Sequence, residues 1–244
     1  MNQNKQTVSV PFFLIGILFC ICLVTANLLE TKVFHVCGSL SLTCGFIVFP
    51  ISYILNDVIA EVWGYRKARL IIWIGFAMNF FVVALGSIAC VLPATVPGSD
   101  DGFKQVFSFM PHIVVASLLA SILGSFLNAL IMSKMKLADR DKGRFNFYFS
   151  LRAIASTIVG ESVDSIIFFP LAFYIFPYLF NGEPQVSFNL MLSLMVTQVI
   201  AKTAYEIIAL PITIRVVKAI KKFEGIEVYD VDVNYNMFKI KDLK

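Results

Sequence analysis

Charge is scarce in this 244-residue chain: Asp, Glu, Lys and Arg together make up 15% of it, and 58% is hydrophobic. A soluble domain carries about 25% charged residues. Histidine is scarcer still, with only His35 and His112, so there is no His/Cys/carboxylate set at zinc-type spacing and no metal centre is expected. A Gly-x-Ser-x-Gly elbow, a phosphate loop and a helix-borne His-Glu-x-x-His are all absent. No cofactor is called for, and an intramembrane enzyme would lack both a nucleophile–base pair and a metal. Low-complexity stretches and a polar run long enough for a soluble domain are also missing. Of the five cysteines, Cys20, Cys22 and Cys90 lie in apolar stretches as small hydrophobes, while pairing of Cys37 with Cys44 stays open.

What the chain has instead is apolar length, with a mean hydropathy of +0.81. About 20 apolar residues cross ~30 Å of hydrocarbon at 1.5 Å per residue. Six such segments follow one another: about Val8–Leu29, Leu40–Val62, Leu70–Leu92, Met110–Ser133, Tyr148–Phe176 and Phe188–Val217. The expected fold is an all-α membrane protein, a bundle of about six transmembrane helices. Residues 1–222 form the membrane domain and 223–244 a short tail. The longest loop is expected near Pro93–Phe109, where Pro93, Pro97, Gly98 and Ser99–Gly102 read as a solvated turn region. The first segment is too long for a signal peptide and lacks a clear small-residue cleavage site.

Basic residues orient the bundle. With six spans, Lys5, the Arg66–Arg69 stretch, the basic residues between Lys134 and Arg144, and those from Arg215 onward share one side, against Lys32 and Lys104 on the other. Positive residues mark the cytoplasmic side, so both termini are expected there. This asymmetry accounts for the net charge of +4 without any nucleic-acid partner. The basic carboxyl tail is expected against anionic headgroups.

The informative residues are the charges inside the spans: Asp57, Glu61, Arg152, Glu161, Asp164, Lys202 and Glu206. Each costs about 2.5–3.5 kcal/mol if it faces lipid, so they should face the bundle interior. Asp57 and Glu61 are i,i+4 with Asn56 beside them, Glu161 and Asp164 are i,i+3, and Lys202 and Glu206 are i,i+4 with Gln198 one turn earlier. Glu61 and Arg152 lie close enough to an interface to be boundary charges, and a structural ion pair is an alternative for Lys202–Glu206, where the first reading makes Lys202 a ligand donor oriented by Glu206. Five acids against two bases nevertheless leave excess negative charge, which burial tolerates only with protons or a donor-bearing substrate.

Pro50, Pro170 and Pro211 fall in the same three segments, each expected to free a carbonyl, at Phe46, Ile166 and Ile207. Charges and helix breaks together are the pattern of a midplane binding site, although a packing role for the prolines is also open. Among 24 phenylalanines and eight tyrosines, Phe46, Tyr53 and Tyr205 lie nearest the polar stripes as stacking candidates. Trp63, Tyr65 and Trp73 fit an interfacial belt.

The stretch NDVIAEVWGYRKAR at Asn56–Arg69, with NLLETK at Asn27–Lys32, ESVDS at Glu161–Ser165 and the Lys202–Glu206 stripe, resembles the queuosine precursor transporters, also catalogued as vitamin uptake transporters. The likeness runs from about Val8 to Lys222. It implies uptake of 7-cyano- or 7-aminomethyl-7-deazaguanine across a bacterial inner membrane, for salvage into the modified tRNA nucleoside. The expected substrate-binding residues are Asn56, Asp57, Glu61, Arg152, Glu161, Asp164, Gln198, Lys202, Tyr205 and Glu206. The expected partners are a small-molecule deazapurine and the bilayer, and self-association into a homo-oligomer is left open. A secondary or facilitative transporter is the first reading. The alternative is a substrate-binding membrane subunit driven by a separate ATPase, but the first helix, with Ala26 alone, lacks the Ala-x-x-x-Ala docking face common in such subunits.

Overall fold

The computed structural model describes residues 9–37, 40–96, 98–139 and 145–239. Lys5, Arg140, Lys142, Arg144, Lys241 and Lys244, which carry part of the expected cytoplasmic charge, lie outside the described residues, as does the side chain of Cys37.

Helix α1 (Val10–Leu29) opens with Ser9 capping the Phe12 amide at 3.3 Å and a proline in the first turn, both favourable at a helix start. The chain then makes an antiparallel hairpin, β1 (Val33–Cys37) and β2 (Leu40–Thr43), with an irregular register between His35 and Cys37. A 3-10 turn at Cys44–Ile47 leads into α2 (Phe49–Trp63). After Gly64 come α3 (Tyr65–Val91) and then α4 (Ser99–Ala138). Helix α5 (Phe145–Phe169) continues through a π-helical turn at Pro170–Ile175 into α6 (Phe176–Asn181), and α7 (Phe188–Glu224) closes the bundle.

Among the described residues four helices are long and apolar enough to cross a membrane: Val10–Leu29, Tyr65–Val91, Pro111–Ala138 and Phe145–Phe180. Side chains such as Phe13, Phe80, Phe81, Ile88 and Ile208 are exposed, while Asn27, Glu30, Asp57, Glu61, Glu161 and Lys202 are buried. That distribution suits an apolar solvent, where backbone groups must be satisfied within the protein. The protein is a helical membrane bundle.

Three expectations change. The second segment is not one helix: α2 has 15 residues, about 22 Å, and the hairpin with its 3-10 turn takes up the rest of the apolar run. Ser41, Leu42 and Thr43 are buried against the bundle. Pro50 therefore sits in the first turn of α2 and breaks nothing. The π turn absorbs Pro170, so α5 and α6 form one continuous span, and Pro211 does lie inside α7. The turn region expected to reach Phe109 is helical from Ser99: Gly98 (φ +79°) starts α4, and Asp100 and Asp101 in its first turn suit the positive helix end.

The tail also departs from expectation, because residues 225–239 fold back onto the bundle. The Tyr65 amide and the Ser133 hydroxyl donate to Asp230 Oδ2 at 2.9 and 2.6 Å. Arg69 Nη1 donates to the carbonyls of Asn234 and Asn236 at 3.1 and 2.7 Å, and Trp73 Nε1 to that of Met237 at 2.9 Å. Tyr65 and Arg69 are fully buried, so they clamp the tail instead of lying in an interfacial belt. Gly64 makes this possible, since its φ of +82° suits glycine and a Cβ there would press on Asp230 and Val228.

Candidate functional site

Helices α4 and α5 cross closely at Gly124 and Gly160, where a Cβ on either would meet the other's carbonyl oxygen, and the Tyr53 ring of α2 lies over the crossing. This close packing gathers the buried charges into three groups.

The first surrounds a pocket lined by Asn27 and Glu30 of α1 and its cap, Phe49 of α2, Ser117 of α4, Asp164, Phe168 and Phe169 of α5, and Gln198 and Lys202 of α7. Lys202 Nζ pairs with Glu161 Oε2 at 2.8 Å and lies 3.8 Å from the centre of the Phe49 ring, a favourable cation–π placement. Asp164 Oδ1 accepts from the Ser121 hydroxyl at 3.2 Å, and Gln198 Nε2 donates to Thr43 Oγ1 at 2.5 Å. Glu30, which also faces Lys202, approaches Gly45 so closely that a methyl there would overlap its carboxylate. Both polar atoms of Asn27, Glu30 Oε2, Glu161 Oε1 and Gln198 Oε1 have no hydrogen-bond partner. The enclosed volume is about 10 Å³, room for about one water molecule.

The second group holds Asp57 and Glu206. Asp57 faces Glu206 and Asn128, and Glu206 faces Asp57 and Thr157. Asn56 sits beside them and ties α2 to α4, donating to Asn128 Oδ1 at 2.9 Å and to the Ser125 carbonyl at 3.3 Å.

The third is an ion cluster around Glu61. Its carboxylate meets Arg152 Nη2 at 2.9 Å, Lys221 Nζ at 2.7 Å and Lys136 Nζ at 3.7 Å. Asp139 lies 3.8 Å from Arg152, and Glu227 lies 2.7 Å from Lys221 and 3.5 Å from Lys136. Lys136 also donates to the carbonyls of Glu61 and Val228 at 2.6 and 2.5 Å.

Charge balance separates the groups. Among the described residues the Glu61 cluster sets three cations against three carboxylates, which is what a structural ion network requires. The pocket sets Lys202 against Glu30, Glu161 and Asp164, and no cation among the described residues pairs with Asp57 or Glu206. Buried, uncompensated charge is costly, so structure alone does not account for the first two groups.

Of the residues expected to bind substrate, the structure brings Asp164, Gln198 and Lys202 to the pocket wall, with Glu161 held against Lys202. Asn56, Asp57 and Glu206 lie apart from the lining, as do Glu61 and Arg152. Tyr205 packs edge-on against Phe46 with ring centres 6.3 Å apart, also off the pocket. Lys202 pairs with Glu161 on α5, whereas the sequence spacing pointed to Glu206. Sequence reasoning missed Asn27, Glu30, Phe49 and Ser117. Glu30 ends an apolar run, and the NLLETK motif was its signal.

Residues 43–216 match the family model described as "Putative vitamin uptake transporter". The chain is 26% identical over 191 residues to a Bacillus subtilis (strain 168) protein named "Probable queuosine precursor transporter", covering 77% of this chain and 76% of that one. No solved structure matches.

Proposed function

Because this chain belongs to the vitamin uptake transporter family, we propose that it carries queuosine precursors, 7-cyano- or 7-aminomethyl-7-deazaguanine, into bacteria across the inner membrane. The observation that carries this reading is the pocket: three carboxylates and one ammonium buried around a closed space, with several of their partners unmade. A deazaguanine edge presents two parallel N–H donors, which Asp164 or Glu30 accepts. Its carbonyl oxygen takes a proton donor from Lys202 or the Gln198 amide, and the Phe49 ring offers a face for the flat base. An aminomethyl group would add a cation where negative charge is in excess.

A space with room for about one water admits a base only if helices part, so we read the present form as occluded. The π turn at Pro170 and the Pro211 site inside α7 are places where the ladder is already interrupted and bending is least costly. On this reading the hairpin–α2 unit and α7 are the two spans that join the four long apolar helices, and both termini are cytoplasmic.

The deciding experiment is uptake of labelled deazaguanine precursor into cells unable to make queuosine de novo, with and without this protein. Guanine-like edges should compete and adenine should not, since a site built around a donor pair rejects analogues lacking it by several orders of magnitude in favourable cases. Equal competition by adenine would reduce recognition to stacking. Reporter fusions after Gly143 and Lys222 should read cytoplasmic and one after Gly102 external. Co-purification with an ATPase would favour the energised-subunit alternative.

A further inference from the structure

We infer that Asp57 and Glu206 form a proton site, separate from the substrate pocket, that loads and releases one proton per transport cycle and so makes the carrier proton-coupled. The inference rests on the transport reading above and adds its energy source.

The geometry is that of two buried acids that face each other and, among the described residues, only neutral partners, Asn128 and Thr157. Asp57 is 1% exposed and Glu206 4%. Both oxygens of Asp57 and Oε2 of Glu206 have no hydrogen-bond partner, and among the described residues neither acid has an ion pair with a base. Two facing carboxyl oxygens, both acceptors, are joined only by a proton between them. A second observation points to the same ligand: the Tyr53 hydroxyl is buried, has no hydrogen-bond partner among the described residues, and feels the charges of Asp57 and Glu206 as well as those of Glu161 and Asp164. A hydroxyl both donates and accepts, so it can pass a proton between the pair and the pocket acids.

The other groups around the pair agree. Glu61, one turn along α2, and Glu161 of α5 face it with negative charge, and Asn128 and Thr157 supply neutral dipoles. Lys202 is on the same helix as Glu206 but is turned to Glu161. Asp57 lies one turn from Glu61 on α2, and Glu206 one turn from Lys202 on α7. In the loading step a carboxylate takes a proton from water on one side and forms one O–H bond. In the releasing step that bond breaks and the proton leaves to water on the other side, with no other reactant.

The test uses the purified full chain in liposomes with a labelled neutral deazaguanine base. For one proton per substrate, one pH unit acid outside should drive about tenfold accumulation, since one pH unit equals a factor of ten. Asp57→Asn with Glu206→Gln, which imitates the loaded state, should still exchange labelled for unlabelled base but accumulate none beyond the outside concentration. Gradient-driven accumulation in that variant at the wild-type level overturns the inference, and so does wild-type exchange that never responds to the gradient. Absence of wild-type exchange with any deazaguanine would count against the substrate reading instead. The proton site is then judged without substrate, by the infrared band of protonated carboxyls. The double variant should lose a component that Glu227→Gln retains, and an unchanged band overturns the site. Should the double variant fold poorly, Asp57→Asn and Glu206→Gln are each taken through the same assays.

Discussion

Glu61→Gln is the sharpest test of how this bundle is held together. Glu61 is fully buried and its carboxylate meets Lys136 of α4, Arg152 of α5 and Lys221 of α7, so one α2 side chain ties four helices. Glutamine keeps the shape and removes the charge. Removing one partner of a buried pair costs about 3–5 kcal/mol, because the remaining charge is stranded. The three cations are stranded unequally. Among the described residues Lys221 keeps Glu227 at 2.7 Å, Lys136 keeps two carbonyls at 2.6 and 2.5 Å and Glu227 at 3.5 Å, and Arg152 keeps Asp139 at 3.8 Å. The loss should therefore fall near the lower end, about 3 kcal/mol, or roughly two orders of magnitude in the unfolding equilibrium. Most of it should fall on Arg152, whose remaining carboxylate is the most distant, so Glu61→Gln with Arg152→Gln should cost less than the two single changes summed, by up to about 3 kcal/mol. Unfolding by a denaturing detergent in mixed micelles, followed through Trp63 and Trp73, measures all three variants. A Glu61→Gln protein within about 0.5 kcal/mol of wild type, the range of an ordinary surface change, or a strictly additive double variant, would refute the reasoning.

Lys202→Ala should lower membrane yield by stranding Glu161, and adding Glu161→Ala should restore much of that yield, whereas adding Glu206→Ala should not; quantified membrane yield distinguishes the two doubles. Asp230→Ala removes the acceptor for the Tyr65 amide and the Ser133 hydroxyl. At about 1–3 kcal/mol per stranded buried group, limited proteolysis should then cut beyond Gly225 much faster than in wild type. Burial pushes the Glu227 carboxyl up, but its hydrogen bond from Lys221 and the charges of Lys221 and Lys136 outweigh that and hold it below its usual 4.5. A carboxylate lowered on folding stabilises the docked tail above its unfolded value and loses that contribution as pH falls through the folded value. A fluorophore on the tail should therefore report release in acid below 4.5 in wild type and much less pH response in Glu227→Gln.

Much of the bundle can be read along the chain. Helices α1 and α3 follow their apolar runs within a few residues, as the apolar parts of α4 and α5 do. The hairpin escapes because its second strand opens the apolar run Leu40–Val62, in which a buried strand and the start of a buried helix look alike. Arg69 and Lys136 read as ordinary interfacial charges, since sequence shows that a basic residue follows an apolar run and not that a returning tail will cover it. The spacing of Lys202 and Glu206 placed them on one stripe, but one helix stripe faces several neighbours, and α5 offered Lys202 a better partner.

What the sequence determined by itself is the solvent and the inventory: apolar length and sparse charge require a membrane, and acids outnumber bases within the spans. Those are properties of single residues and short windows, which transfer free energies decide locally. Only the tertiary structure decided how the charges sort into a balanced cluster at Glu61, an acid-rich pocket at Lys202 and a cation-free pair at Asp57 and Glu206. Compensation of a buried charge acts through space, and here it joins residues as distant in sequence as Glu61 and Lys221, 160 positions apart.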